Sequence, residues 1–303
     1  MDRTVDRRDF LKLAGLGGVV FASGLGVAAC ASGPKGRAEY GSEDFYFVQL
    51  SDTHWGFEGP PNPDAHGTLP KAIDAINALA QPPDFVVFTG DLTHLTLDAE
   101  VRRARMAQFR DVASRLKVRD VRFLPGEHDA SVDRGKVYQE FFGPTHYTFD
   151  HKGVHFLALD NVSDPRGAIG QEQLEWLATD LANVDPTTPI IVLTHRPLFD
   201  LAPDWGWATA DAGRAIELLS PFPRVTVFYG HIHQENHRMT GTIAQHAAKS
   251  LIFPLPPPGS PDHKPIAWDP AQPYRGLGWR QIETGEKSQP VEIHEFAVQG
   301  ART

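Results

Sequence analysis

Histidine, aspartate and glutamate residues gather in five short polar clusters along this 303-residue chain. These residue types supply the nitrogen and oxygen ligands that divalent metal ions bind in proteins. The clusters occur in the order Asp52-Thr53-His54, Gly90-Asp91, Gly126-Glu127-His128-Asp129, Thr194-His195 and Gly230-His231-Ile232-His233. One such cluster alone would be an ordinary strand-end or loop sequence more often than a ligand set. Five together predict a metal centre that could carry out hydrolysis.

Each cluster follows a short apolar run rich in Val, Ile and Phe, which is typical of a buried strand. The runs cover residues 45–50, 85–88, 121–124, 190–193 and 225–229. Open α/β sheets bind their ligands outside the carboxyl ends of the strands. We therefore expect five strands to bring the five clusters to one rim of the fold.

The segments between these runs predict helices early in the chain and hairpins later. Apolar residues at helical spacing predict helices over residues 69–79, 99–116, 171–181 and 210–219. The stretch 141–160 predicts antiparallel strands around a turn at Lys152-Gly153, and short strands are expected over 237–242, 243–246, 278–282 and 291–296. This order favours a mixed α/β domain with one sheet or a pair of sheets and flanking helices.

The order and spacing of the five clusters resemble the motif set of the calcineurin-like metallophosphoesterases, over about residues 44–234. The resemblance is specific, because all five blocks occur in sequence. It implies a two-sheet β-sandwich flanked by helices, with a dimetal site at the carboxyl ends of the strands. The apolar periodicity by itself does not show the two-sheet arrangement. One departure is Glu127, which stands where the family usually carries Asn.

The resemblance also implies which residues hold metal. The first ion would be bound by Asp52, His54, Asp91 and His233, and the second by Asp91, Glu127, His195 and His231. Asp91 would bridge the two ions, because a carboxylate can give one oxygen to each. Mn, Fe, Zn and Co are the candidate metals. A hydroxide between the ions would attack the phosphorus of a small phosphorylated substrate, either a phosphodiester or a phosphomonoester, with nucleotides and cyclic nucleotides among them.

The third cluster also contains two residues that the resemblance places in catalysis rather than in metal binding. His128 would contact the substrate phosphate and stabilise the leaving oxygen as a donor or general acid. Asp129 would orient the His128 ring without itself contacting the metal ions or the substrate. Weaker candidates follow strand ends or lie in a loop that could reach the site, with packing as the alternative for each: Trp55, His94, Trp205 and Trp207.

Two questions about this site stay open in the sequence. The chain could be a non-catalytic metal-binding envelope lipoprotein on the same fold, although the presence of His128 beside Asp129 favours an enzyme. Glu127 could bind the second metal, or it could turn away and leave its place to water. As a ligand, Glu127 would add negative charge and disfavour dianionic monoesters relative to monoanionic diesters.

Composition narrows the class of protein further. Apolar residues make up 41% of the chain and charged residues 22%, which fits a globular protein. The net charge of −9 argues against nucleic acid as a partner and against an extracellular nuclease. It leaves a small phosphorylated substrate possible, because bound metal would supply local positive charge.

The N-terminal segment predicts export. Arg7-Arg8 lies in a sequence that resembles a twin-arginine motif, and an uncharged Gly-rich stretch leads to Ala29 and Cys30, the only cysteine. We expect a signal peptide over residues 1–30, a linker over 31–43 and the metallophosphoesterase domain over 44–303. The expected partners are the twin-arginine export machinery and the membrane, through lipidated Cys30, in the periplasm or cell envelope. The alternatives are an uncleaved membrane anchor and an unmodified cysteine.

Overall fold

Two mixed β-sheets form the centre of the protein, whose computed structural model describes residues 44–285 and 291–299. The strands are β1 (Phe45–Leu50), β2 (Phe85–Thr89), β3 (Val121–Leu124), β4 (Tyr147–His151), β5 (Val154–Ala158), β6 (Ile190–Leu193), β7 (Val225–Tyr229), β8 (Asn236–Thr240), β9 (Ile243–Ala247), β10 (Gly278–Thr284) and β11 (Glu292–Ala297). The first sheet has the order β11-β10-β1-β2-β3, and the second has the order β4-β5-β6-β7-β9-β8.

The strands that precede the predicted ligands run parallel to one another within each sheet, although β1 also pairs with β10 in the antiparallel direction. In the first sheet β1, β2 and β3 are parallel, with Phe47 opposite Phe85 and Val86 opposite Val121. In the second sheet β5, β6 and β7 are parallel, and β9 continues that run. Because parallel strands end at the same edge, each sheet presents its polar clusters on one side.

The helices cover the outer faces of the two sheets. They are α1 (Ala65–Asn77), α2 (Ala99–Ala113), α3 (Glu127–Ala130), α4 (Lys136–Phe142), α5 (Gln171–Leu181) and α6 (Ala212–Leu219). Leu69 and Phe109 pack α1 and α2 on the first sheet, whereas Leu177 packs α5 on the second. Among the described residues, none of the helices combines the length and apolar character needed to span a bilayer.

A third apolar cluster joins the two sheets face to face. Phe47 and Phe85 of the first sheet stack with ring centroids 4.8 Å apart, and Phe47 meets Phe228 of the second sheet edge to face at 5.9 Å. Phe156 of β5 also contacts Phe47, at 5.7 Å. Such aromatic pairs add to the free energy gained by burial. They fix the two sheets against each other and so fix the rim that carries the site.

The predicted mixed α/β fold with two sheets and flanking helices is confirmed. Two details differ from the prediction. Helix α1 begins at Ala65, earlier than expected, and includes Pro70. Phe141 and Phe142, expected in a strand, end α4, where the Phe142 ring lies 4.9 Å from the ring of Phe123. Short helices such as α3 and α4 show too few turns for an apolar period to emerge.

Candidate active site

The carboxyl ends of the parallel strands bring all seven predicted ligands to one place. Asp52 follows β1, Asp91 follows β2, and Glu127 follows β3, while the four histidines complete the cluster. Several overlapping groups of three have ligand atoms that all lie within 4.8 Å of one another. Among them are Asp52, His54 and His233, which belong to the first predicted metal site, and Glu127, His195 and His231, which belong to the second. Other groups join Asp91 to members of both sites.

Five of these seven residues have a left-handed backbone conformation. Their φ angles are 54° for Asp52, 42° for His54, 49° for Asp91, 66° for His231 and 53° for His233. Residues other than glycine rarely adopt such angles, and each costs about 1–3 kcal/mol. The surrounding backbone holds them, as when the amide of His54 donates to the carbonyl of Asp91 at 2.9 Å. The strain is concentrated where a functional site is expected.

Two glycines allow the clusters to approach each other. Gly90 has a φ of +96°, and a Cβ there would lie 2.4 Å from the His195 ring. Gly230 needs no unusual φ angle, but a Cβ there would lie 1.9 Å from the hydroxyl of Ser51. Both positions therefore require a residue without a side chain, one for conformation and contact and the other for contact alone.

Asp91 lies between the two ligand groups. Its Oδ2 is 3.4 Å from Nε2 of His54 and 3.5 Å from Nε2 of His195. Burial and the charge of Glu127 raise the pKa of Asp91, but the neighbouring histidines outweigh them and lower it to about 2. Asp91 is therefore ionised at neutral pH, and its carboxylate is placed to serve both groups.

The donor set fits metal ions. Nδ1 of His195 donates to the carbonyl of Thr89 at 2.7 Å, and Nδ1 of His233 donates to the carbonyl of Phe253 at 2.8 Å. In a neutral ring the other nitrogen, Nε2, then carries a lone pair that faces the cluster. Nε2 of His233 meets Nε2 of His54 at 3.2 Å. Two ring nitrogens that face each other at this separation could both bind one cation.

Charge in the cluster supports the same conclusion. Burial, followed by the neighbouring His128, holds the pKa of His54 well below its ordinary value, so this ring is neutral and can act as a ligand. Burial would also lower the pKa of His195, but Asp91 and Glu127 raise it well above the ordinary value. This half of the cluster therefore favours added positive charge, whether from a proton or from a metal ion.

Glu127 points into the cluster. Its Oε2 lies 2.8 Å from Nε2 of His195, and its Oε1 lies 2.9 Å from Nδ1 of His231. Burial would raise the pKa of Glu127, but His231 and His195 lower it well below the usual value. Glu127 therefore turns towards the ligand histidines rather than away from them.

Comparison with known proteins assigns the family. The model of the calcineurin-like phosphoesterases matches residues 45–235, which contain every polar cluster described above. The chain belongs to the calcineurin-like phosphoesterase family. Members of this family normally use a dimetal site, and the cluster of His, Asp and Glu residues provides the ligands for one.

Relatives of this metallophosphoesterase include phosphodiesterases and phosphatases. A probable cyclic nucleotide phosphodiesterase from Rhodococcus erythropolis is 29% identical over 228 residues, covering 71% of this chain and 74% of the relative. The serine/threonine-protein phosphatase CPPED1 of Mus musculus is 30% identical over 220 residues, or 63% of this chain and 70% of the relative. A dimetal phosphatase from Danio rerio shares the fold with a TM-score of 0.54 and 16% identity, over 84% and 99% of the two chains.

His128 is held at the open side of the metallophosphoesterase site. Its Nδ1 accepts a hydrogen bond from the backbone amide of Leu95 at 3.0 Å. Because Nδ1 is the acceptor, the proton of the neutral ring is on Nε2. That nitrogen lies 4.0 Å from Oδ2 of Asp91, in a side chain that is 24% exposed. His128 therefore presents an N–H donor beside the ligand cluster, within reach of solvent.

The structure contradicts the prediction that Asp129 orients His128. The Asp129 carboxylate instead accepts hydrogen bonds from the amides of Leu92, Thr93 and Gly126 and from the hydroxyl of Thr93, each 2.9 Å long. With its oxygens used in this way, Asp129 fixes the loop after β2. That loop carries the Leu95 amide, so the effect of Asp129 on His128 is indirect.

The weaker candidates lie at different distances from the cluster. His94 contacts it directly, with Nδ1 at 3.3 Å from Nδ1 of His54. The Trp207 ring lies 6.4 Å from that of His231 and packs edge to face on Trp205 at 4.6 Å. Trp55 instead packs on His66 at 4.8 Å and donates to Gln108. Packing is therefore the better interpretation for Trp55.

Sequence reasoning missed one charged residue beside the cluster. Nε of Arg196 lies 3.7 Å from Oε2 of Glu127. The sequence offered a signal, because Arg196 directly follows the ligand-type residue His195 after a buried strand. Nothing in the sequence, however, indicated that its side chain would turn towards Glu127 rather than towards solvent.

Proposed function

We propose that this metallophosphoesterase hydrolyses a small phosphodiester, with cyclic nucleotides as the first candidates, in the bacterial cell envelope. Support for the substrate class comes from the relative of 29% identity that is named as a probable cyclic nucleotide phosphodiesterase. Support for the reaction comes from a single observation, the hydrogen bond that the Leu95 amide donates to Nδ1 of His128. That bond leaves Nε2–H free to donate a hydrogen bond to substrate beside the candidate metal ligands.

The positions of the ligand-type side chains support a division of these residues between two ions. One would be held by Asp52, His54, Asp91 and His233, and the other by Asp91, Glu127, His195 and His231. When bound, the ions supply a Lewis acid for the phosphoryl oxygen and an activated water. Imidazole nitrogens mixed with carboxylate oxygens suit Mn, Fe, Zn or Co.

The chain's own residues orient the substrate and stabilise the developing charge. His128 donates a hydrogen bond from Nε2–H to a phosphate oxygen and then to the oxygen that leaves, whose negative charge this bond stabilises. The ring keeps its proton, and the leaving alkoxide takes its proton from water. The Leu95 amide keeps the ring in the required tautomer. The neighbouring His54 and His94 rings, at 4.5 Å and 5.1 Å from the His128 ring, limit its rotation.

The charge of Glu127 predicts a preference between substrates. The metal-reconstituted enzyme should hydrolyse bis-p-nitrophenyl phosphate, a monoanion, in preference to p-nitrophenyl phosphate, a dianion. Glu127→Asn removes one negative charge beside the phosphate and should shift the ratio of the two kcat/KM values towards the monoester by roughly tenfold, equivalent to about 1.4 kcal/mol. The measurement is steady-state hydrolysis of both substrates with Mn²⁺, Fe²⁺, Zn²⁺ or Co²⁺.

Two control variants separate charge from shape. Glu127→Gln removes the same charge at nearly the same size, so it should shift the ratio in the same direction. Glu172→Gln changes an exposed residue of α5 and should leave the ratio at the wild-type value. An unchanged ratio in both Glu127 variants would remove charge at this position as the source of substrate preference.

The envelope location depends on the N-terminal pattern, which lies outside the described residues. Replacing both Arg7 and Arg8 with lysine should block export, because the paired arginines are the feature on which twin-arginine recognition depends. Cys30→Ser should still be exported but should move from the membrane fraction to the soluble fraction. Immunoblots of cell fractions report both results, and normal export of the double lysine variant would refute the proposed route.

A further inference from the structure

Arg196 forms a close ion pair with Glu127 at the edge of the ligand cluster. The distance between Nε and Oε2 is 3.7 Å, and the two side chains are only 18% and 20% exposed. Both atoms are buried, and Oε2 of Glu127 also lies 2.8 Å from Nε2 of His195. Charges at this separation and burial interact more strongly than they would in water. The contact is therefore electrostatic rather than a hydrogen bond.

The backbone of Arg196 is held in place by buried side chains. Its carbonyl accepts hydrogen bonds from Nδ2 of Asn161 at 2.9 Å and from the hydroxyl of Thr194 at 2.8 Å. Its amide donates to Oδ1 of Asn161 at 3.3 Å. Asn161 is fully buried, so these bonds are shielded from water. The hydrogen bonds therefore fix the backbone position from which the Arg196 side chain extends.

The guanidinium of Arg196 is also fixed. Nη1 donates to the carbonyl of Gly206 at 3.3 Å, in the loop between Trp205 and Trp207. On the other side lies Gly167, where a Cβ would come within 2.4 Å of Nη1. The guanidinium therefore occupies a place that the backbone leaves open for it, and its charge faces Glu127.

We propose that Arg196 is a positioning residue that neutralises Glu127, so that the two side chains together present an uncharged pair to the second metal ion. This inference rests on the proposed function, in which Glu127 binds that ion. A guanidinium has only donors and cannot bind a metal itself. Arg196 without Glu127 would therefore be an unpaired positive charge that repels the cation.

A double-mutant cycle in metal affinity tests this coupling. The probe is Mn²⁺, with its affinity for the metal-free protein measured by competition with a chelator and its stoichiometry by elemental analysis. Glu127→Asn should weaken binding at the second site by roughly 10- to 100-fold, the usual range for disturbing the surroundings of a metal. Arg196→Gln alone should bind at least as tightly as the wild type, because it removes only repulsion. The double variant should return to within about fivefold of the wild type, since the two effects are coupled.

Control variants distinguish charge at this position from charge elsewhere. Arg214 is exposed on α6, where Nη1 donates to Gln171, so Arg214→Gln removes the same charge from a remote surface. Glu127→Asn combined with Arg214→Gln should stay as weak as Glu127→Asn alone. Glu127→Asn combined with Arg196→Lys should also stay weak, because lysine keeps the charge. This last variant tests the inference even if loss of the guanidinium impairs folding.

The outcomes separate the inference from the proposed function. The Glu127→Asn change is compared in two backgrounds, the wild type and Arg196→Gln. If it weakens Mn²⁺ binding by the same factor in both, Arg196 does not neutralise Glu127 and the inference fails. If the wild-type protein itself binds no Mn²⁺, Fe²⁺, Zn²⁺ or Co²⁺, the proposed function fails. The inference is supported if Mn²⁺ affinity recovers in the Glu127→Asn, Arg196→Gln double variant and not in the two control double variants.

Discussion

Replacing Asp91 with alanine will release both metal ions and abolish hydrolysis. Its Oδ2 lies between Nε2 of His54 and Nε2 of His195, and the pKa of its carboxyl is lowered to about 2, so it offers a charged oxygen to each group. Loss of this shared ligand affects both sites at once. We expect the affinity for metal at each site to fall by well over 10- to 100-fold, which is the loss typical of replacing a residue that only hydrogen-bonds to a metal ligand. Elemental analysis after gel filtration gives the metal content.

The matched variant is His54→Ala. His54 belongs to only one of the two groups, so its loss should leave the ion held by Glu127, His195 and Asp91 largely in place. The metal content should therefore fall to near zero in the Asp91 variant and to about one ion per chain in the His54 variant. Full occupancy in the Asp91 variant would refute the bridging assignment.

The strand ends and the ligand types of this site could be predicted from the sequence, because both are local properties. A buried parallel strand is a continuous apolar run, and the polar residues that follow it must lie at its carboxyl end. The structure brings Asp52, Asp91 and His195 together for this reason. The pairing of two sheets was not predictable from periodicity, since the apolar run of β1 and that of β6 look alike. Only the resemblance to a family implied it.

The backbone conformation of the ligands could not be predicted either. Aspartate and histidine seldom adopt positive φ angles, and nothing in Asp52-Thr53-His54 signals that two of its residues do. The strain is tolerated because distant backbone groups hold these loops, as when the amide of Asp52 donates to the carbonyl of Gly90. Such contacts join residues far apart in the chain and exist only in the folded protein.

The net charge of the site also could not be predicted from the sequence. Counting carboxylates in the sequence gives Asp52, Asp91 and Glu127, one negative charge more than a site with Asn at the third position. The count omits Arg196, whose Nε lies 3.7 Å from Glu127. The expected direction of the Glu127→Asn effect on substrate preference is unchanged, because this substitution still raises the net charge of the site by one. The net charge of the wild-type site, however, is less negative than the ligands alone suggest.

The role of Asp129 illustrates how a plausible neighbour can mislead. Adjacent residues in a short helix such as α3 point in different directions, so Asp129 turns into the protein while His128 faces the cluster. The group that sets the tautomer of His128 is the backbone amide of Leu95, 33 residues away in the sequence. A backbone amide is present at every residue except proline and therefore leaves no mark in the sequence.

Replacing His128 with alanine will leave both metal ions bound and lower kcat by roughly 10²- to 10³-fold, the usual cost of removing one donor that stabilises developing charge. The loss should be larger with cyclic AMP than with bis-p-nitrophenyl phosphate. The reason is that the departing sugar alkoxide carries a localised charge that the hydrogen bond from Nε2 stabilises, whereas the nitrophenolate is stable without it. A purely structural role for His128 would lower both rates by the same factor.

A second variant tests the source of this hydrogen-bond donor. Leu95→Pro removes the amide that donates to Nδ1 of His128, and Leu95 is 42% exposed, so its side chain adds little to the core. Without that bond the ring can take the tautomer that has no proton on Nε2. We expect kcat to fall more with cyclic AMP than with bis-p-nitrophenyl phosphate, as in the His128→Ala variant. The fall should be smaller than in that variant, and the metal content should be unchanged. If the His128→Ala variant has the wild-type kcat for cyclic AMP, His128 does not stabilise the leaving oxygen, and its bond to the Leu95 amide has no catalytic role.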